Sequence, residues 1–197
     1  MYLYFVKPFF DRLIAFIALI VLSPLFLVLA IWLAIFQQGS IFFLQERPGR
    51  RGQLFKVIKF KTMGATTDDH GHLLPESQRL TRIGSFFRRT SLDELPQLWN
   101  VLKGEMSIVG PRPLLISYLP LFSEEQQRRH SVLPGITGWT QVNGRHGISW
   151  NEKLALDIYY VRHVSLWLDL IILFKTVILI FSFKKDISLL EKPFTGN

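Results

Sequence analysis

Cysteine is absent from the 197 residues, so a disulfide framework, a thiol nucleophile and thiolate metal ligands are all excluded. Acidic side chains are scarce. Fifteen Asp and Glu stand against 23 Lys and Arg, a formal charge of +8. That balance suits anionic partners: phospholipid headgroups, nucleic acid or phosphorylated substrates. Internal repeats and low-complexity tracts are also missing, which excludes repeat architectures. What the chain has in excess is apolar surface. It is 49% hydrophobic, with 17 Phe and 5 Trp, and its mean hydropathy is +0.25. That is greasy for a soluble domain and points to membrane contact. The length allows one domain with a real core and an accessory segment.

Two apolar stretches stand out. Leu13 to Phe36 runs 24 residues without a charge. At about 1.5 Å per residue it could reach across a hydrocarbon core of about 30 Å. It is too long for the apolar part of a signal peptide, and no small-x-small cleavage site follows it, so it is expected to be retained. Its middle is Leu22-Ser23-Pro24. Proline removes a helix hydrogen bond and clashes with the preceding turn, which predicts a kink. Ser23 is placed to bond a carbonyl freed there. A kinked span and a re-entrant hairpin both fit. Lys7 and Arg12 before the stretch, and Arg47, Arg50, Arg51, Lys56, Lys59 and Lys61 after it, suit a hairpin with both ends on the positive side. The second stretch, Ser165 to Phe183, carries Ser165, Asp169, Lys175, Thr176 and Ser182 within an arc of roughly 140° on a helix. This is the pattern of a helix lying in a membrane interface. The same moment describes an amphipathic helix on a soluble core. Trp167, Phe174 and Phe181 favour the interface, with Lys184 and Lys185 at the headgroups.

Between these stretches, Ile41 to Leu44 and Leu54 to Lys61 read as strands around an Arg47–Gly52 turn. Residues 64–78 read as a loop. His70 and His72 lie there and are taken as solvated rather than as metal ligands. Ile83 to Arg89 is predicted as a short basic helix. Arg88-Arg89-Thr90-Ser91-Leu92-Asp93-Glu94-Leu95-Pro96 follows. Proline is tolerated only in a helix's first turn, so Asp93 is predicted as the N-cap with Glu94 at N1. A Ser91–Glu94 capping box is the alternative, and Gly104 is the expected C-terminal stop after Lys103.

The same residues also suit phosphate chemistry. Two adjacent carboxylates on a helix point about 100° apart, so one could attack phosphorus while the other holds a divalent cation, for which oxygen ligands and phosphates suit Mg²⁺. Arg88 and Arg89 can bind phosphate oxygens bidentately. Gly110-Pro111-Arg112-Pro113 sets an arginine on a stiff backbone. The Gly-rich loop 134–145, with Trp139 and Arg145, could line a nucleotide or sugar pocket. A transferase moving only the sugar, and a non-catalytic basic membrane-tethered anion-binding module, remain open. A carboxylate pair without a metal is a poor choice for such a module.

TSLDELPQLWNVLKGEMSIVGPRP (90–113), FKVIKFKTM (55–63), PGITGWTQVNGR (134–145) and DIYYVRHVSLWLDLIILFKTV (157–177) resemble the bacterial sugar transferases, the monotopic phosphoglycosyl transferases. The resemblance covers about residues 8–180. It is similar in length and motifs to the minimal members that transfer N,N'-diacetylbacillosamine 1-phosphate in Campylobacter-type N-glycosylation. It implies transfer of a sugar 1-phosphate from a UDP-sugar to undecaprenyl phosphate with release of UMP, and no nucleic-acid partner. The implied fold is α+β and mostly helical. It has a re-entrant helix kinked at Ser23-Pro24 over 1–40, a catalytic domain over 41–183 with interfacial helices and a few short strands, and a tail over 184–197. The implied location is the cytoplasmic face of the bacterial inner membrane, among membrane lipids. The resemblance implies Asp93 as nucleophile, Glu94 as Mg²⁺ ligand, Arg88, Arg112 and Arg145 as phosphate or nucleotide contacts, and Lys59 as a basic residue near the acidic pair.

Overall fold

A computed structural model describes residues 1–36, 40–64, 72, 74, 79–144, 148–181 and 193–196. After a π-helical turn at Tyr2–Val6, helix α1 spans Lys7–Val21 and helix α2 spans Ser23–Phe36. Pro8 lies in the first turn of α1, where its missing N–H is no loss. The two helices meet at an angle of 63° across Leu22. Pro24 cannot donate to the turn before it, and the Ser23 hydroxyl donates to the freed Ile20 carbonyl at 2.7 Å. The kink and the role of Ser23 therefore follow from the local sequence. Among the described residues, no single helix is long and apolar enough to cross a membrane; the bent pair meets that test only jointly.

Strands β1 (Phe42–Pro48) and β2 (Leu54–Phe60) form an antiparallel hairpin, in register from Phe42 opposite Phe60 to Pro48 opposite Leu54. The turn between them puts Arg51 and Gly52 at positive φ, 56° and 75°. Helix α3 (Arg82–Arg89) starts at Thr81, whose hydroxyl accepts from the Gly84 N–H. Gly84 lies against Thr62, two residues past β2, so closely that a Cβ would come within 1.9 Å of the Thr62 carbonyl oxygen. Helix α4 (Gln97–Lys103) stops at Gly104, which takes φ 80°. Ala15 of α1, Val57 of β2, and Leu98 and Val101 of α4 share one buried cluster with Met106. Leu29 and Leu33 of α2 pack with Phe60 and Phe87 in another.

The second half centres on a short parallel pair, β3 (Ser107–Val109) and β4 (Gly135–Thr137). Helices α5 (Trp150–Arg162) and α6 (Leu166–Phe181) pack on it. Phe194 returns to an aromatic cluster with Phe122, Tyr118 and Trp150. The halves are tied by a buried polar network. The Asp169 carboxylate on α6 accepts from Lys7 Nζ at 2.7 Å, the Tyr2 hydroxyl at 2.6 Å and the Tyr160 hydroxyl at 2.8 Å. Ser107 donates to Asp11 at 2.6 Å. Buried charges persist only when paired and hydrogen-bonded in this way.

The polar arc of α6 faces the protein. Asp169 is buried, Lys175 donates to Asn143 Oδ1, and the Thr176 and Thr137 hydroxyls bond each other. Ser182 lies outside the described residues. Leu168 and Ile172 pack inward beside this arc, while the other apolar residues form an outward face, with Trp167 and Phe181 each 72% exposed.

Candidate active site

Asn100 joins β2 to α4. Its amide nitrogen donates to the Lys56 carbonyl and to Glu105, and its oxygen accepts from the Ile58 N–H. With this side chain fully buried, the strand is held in one register and Lys59 is aimed at the turn before α4. There, Ser91 adopts a left-handed conformation at φ 57° and Leu92–Glu94 form one 3₁₀ turn. The predicted helix cap at Asp93 is corrected here: α4 begins at Gln97, with Pro96 in the N-cap position. Nor does Ser91 form a capping box, since its side chain makes no capping bond. The left-handed Ser91 turns the chain too sharply for an α-helix to start, and Pro96 fits best at the helix's edge. At three residues per turn, Asp93 and Glu94 still point about 120° apart.

Their environments differ. Glu94 Oε1 accepts from Lys59 Nζ and from Arg112 Nη2, each at 2.7 Å, while among the described residues Oε2 has only a long contact of 3.4 Å to Arg112. Burial alone would raise its pKa, but the Arg112 and Lys59 charges and their hydrogen bonds outweigh it and hold Glu94 well below the usual carboxylate range. Asp93 is 8% exposed. Burial, and then the Glu94 charge, push its pKa up to about 6 against the pull of Lys59, Arg112 and Arg88. One carboxylate is neutralised by two cations. The other is buried and acted on by charge, with no hydrogen bond among the forces that shift it.

Arg112 owes its place to backbone packing. The Gly110 N–H donates to the Thr137 carbonyl and the Gly135 N–H to the Pro111 carbonyl. A Cβ on Gly135 would lie 2.1 Å from the Gly110 nitrogen, so only glycine lets these strands approach. Buried Arg129 donates to the Arg112 carbonyl at 2.6 Å and to Asp157 at 2.7 Å; Asp157 also accepts from Thr140. Arg88 donates to Thr62 Oγ1 at 3.1 Å, so the close Gly84–Thr62 contact sets its position.

A small cleft opens beside the acidic pair, lined in part by Gln45, Arg47, Lys59, Glu94, Gln97 and Arg112. Of the residues singled out from sequence, Lys59, Glu94 and Arg112 thus converge, and Asp93 and Arg88 adjoin them. Ser23 and Pro24 sit at the helix bend. Arg145 and His70 lie outside the described residues, and His72 is exposed. Gln45, Arg47, Gln97, Arg129 and Asp157 were not identified. Gln45 and Arg47 carried a signal: with Phe43 they recur at every second position, the strand period.

Among the described residues, no group of three His, Asp or Glu stands ready for a metal. Glu94 Oε2 and the Asp93 carboxylate are nonetheless hard oxygen donors. They suit Mg²⁺, which characteristically takes one or two carboxylates and completes its shell with phosphates and water.

Residues 2–183 match the profile of the bacterial sugar transferases. The chain belongs to that family. The transferase is 56% identical over 139 residues to an uncharacterized sugar transferase, EpsL, of Bacillus subtilis (strain 168), covering 71% of this chain and 69% of that one. It is 42% identical over 189 residues to a UDP-glucose:undecaprenyl-phosphate glucose-1-phosphate transferase of Xanthomonas campestris pv. campestris, covering 89% of this chain and 39% of that one. It is 39% identical over 181 residues to a UDP-N-acetylgalactosamine-undecaprenyl-phosphate N-acetylgalactosaminephosphotransferase of Aeromonas hydrophila, covering 88% and 43%. The transferase therefore spans about two fifths of the length of these last two relatives.

Proposed function

We propose that this transferase moves a sugar 1-phosphate from a UDP-sugar to undecaprenyl phosphate and releases UMP. The observation that carries the reading is the division of labour within the acidic pair. Glu94 is held ionised by Lys59 and Arg112, while Asp93 is buried beside them with no clamp among the described residues. A carboxylate free of strong donors keeps its nucleophilicity. The Asp93 oxygen bonds the sugar-bearing phosphorus as the bond to the UMP oxygen breaks, and UMP leaves with that electron pair. An oxygen of the lipid phosphate then bonds the same phosphorus, and Asp93 departs as a carboxylate. No proton need be moved. Arg88, Arg112 and Lys59 lower the repulsion between carboxylate and phosphates, and Arg145 is proposed as a nucleotide contact. Mg²⁺ would be held by Glu94 and would neutralise phosphate charge when bound.

The outward apolar faces of α1, α2 and α6 support a membrane location. We place the bent pair, within residues 1–40, as a re-entrant hairpin in the inner membrane, and the cleft on the cytoplasmic side. The motif resemblance suggests UDP-N,N'-diacetylbacillosamine as donor and a first membrane step of N-linked glycoprotein biosynthesis. The relatives' names add UDP-glucose and UDP-N-acetylgalactosamine. Detergent-solubilised protein incubated with undecaprenyl phosphate, Mg²⁺ and these donors is expected to release UMP, and Asp93→Asn none. Release of UDP would mean transfer of the sugar alone and would overturn the reading.

A further inference from the structure

Arg47 differs from the other cations of the cleft. Lys59 and Arg112 both bond Glu94, whereas Arg47 donates to a neutral acceptor, Gln45 Oε1, at 2.6 Å. Among the described residues it forms no salt bridge. Its surroundings are unfavourable for a cation: burial, and then the Arg112 charge, lower its pKa to about 10, with the Tyr118 phenol a weaker opposing influence. A partly buried guanidinium beside a second cation is costly unless an anion joins it. Phe43, Gln45 and Arg47 alternate along β1 and all three line the cleft, and Lys59 stands across the hairpin from Phe43. The cleft thus has positive charge at two places, one at Glu94 and one at Arg47, with Arg112 reaching both.

In-line displacement at phosphorus puts the leaving oxygen opposite the attacking one. In the return half-reaction Asp93 is itself the leaving group, so the acceptor phosphate must enter from the side on which UMP departed. We propose that Arg47 and Arg112 form a second phosphate subsite that holds the departing UMP phosphate and then, in the same place, the phosphate of the acceptor lipid. In the first half-reaction the phosphorus–oxygen bond to UMP breaks there, with the electron pair going to UMP. In the second, an oxygen of the lipid phosphate forms its bond to phosphorus from there. This rests on the proposed phosphosugar transfer.

The test is Arg47→Gln and Arg47→Lys, assayed for KM towards the UDP-sugar that the wild type uses and towards undecaprenyl phosphate. Labelled UMP exchange into UDP-sugar without lipid isolates the first half-reaction. A charged hydrogen-bond partner lost from a buried site predicts a rise of roughly ten- to a hundredfold in both KM values for Arg47→Gln. The same substitution should weaken UMP in the exchange reaction by a similar factor. Arg47→Lys keeps charge but loses the fork, and should fall between. A structural defect alone would lower the amount of active enzyme and kcat, not raise both KM values. If Arg47→Gln does not fold, a severalfold rise in both KM values for Arg47→Lys carries the test. UMP release by the wild type with neither KM changed, or with only one changed, overturns the shared subsite alone. UDP release by the wild type overturns the parent reading and the subsite with it.

Discussion

Replacing Asp93 by Asn should stabilise the protein while abolishing turnover. Burial and the neighbouring Glu94 raise the Asp93 pKa from 3.8 to about 6, so the folded state binds this proton more tightly than the unfolded chain. Stability then falls as pH rises from about 4 to about 6, and above that range the ionised carboxylate is a standing liability. At 1.36 kcal/mol per pH unit the penalty is about 3 kcal/mol. A buried Asn amide short of partners returns about 1 kcal/mol of that. The net gain of about 2 kcal/mol corresponds to roughly 4–8 °C in Tm for a chain of this size. The assay is a thermal melt of both proteins in one detergent at pH 4, 5, 6 and 8. The difference should be small at pH 4 and full by pH 8. A variant less stable than the wild type at pH 8, or a difference independent of pH, would refute the argument that Asp93 is held against its preferred protonation state.

Turnover of the wild type should rise with pH through about 6, as Asp93 ionises. Any residual rate of Glu94→Gln should have this limb at lower pH, because the repelling charge is gone; a pH–rate profile checks both. Asp157→Asn removes the partner of buried Arg129; breaking such a pair should cost about 3–5 kcal/mol and weaken substrate binding through Arg112, measured by urea melts and KM. Asn100→Leu strands the Ile58 N–H and the Lys56 carbonyl, and should cost about 2–4 kcal/mol and lower activity by releasing Lys59, read from the same melts and a rate assay.

Local chemistry was legible where one residue decides the outcome. Proline set the helix break at Ser23-Pro24, glycine set the stop at Gly104, and alternation with a Gly-rich turn marked the hairpin. Lys59, Asp93, Glu94 and Arg112 were reached through long motifs. The helix cap at Asp93 failed because a left-handed Ser91, which no propensity favours, redirected the chain. Periodicity described the two faces of α6 but not which one meets the protein; that depended on Lys7, Tyr2 and Tyr160 arriving at Asp169. Arg129 and Asp157 were invisible because their meaning lies in a contact across 28 positions. Arg47 was read as a flanking charge and as the start of the turn, whereas it lies in β1, and its neighbour Arg112 comes from a distant loop.

The tie between Lys7 and Asp169 also constrains how the protein is made. The two residues are 162 positions apart in the chain, and Asp11 waits for Ser107 across 96. At a synthesis rate of roughly 5–20 residues per second, Lys7 precedes its partner by roughly 8–32 seconds. Throughout that interval the Lys7 ammonium and the Asp11 carboxylate, one helical turn apart at 3.6 Å, have each other as partners. That pair holds until Ser107 and then Asp169 emerge, so the N-terminal segment takes its final seat on them late in synthesis.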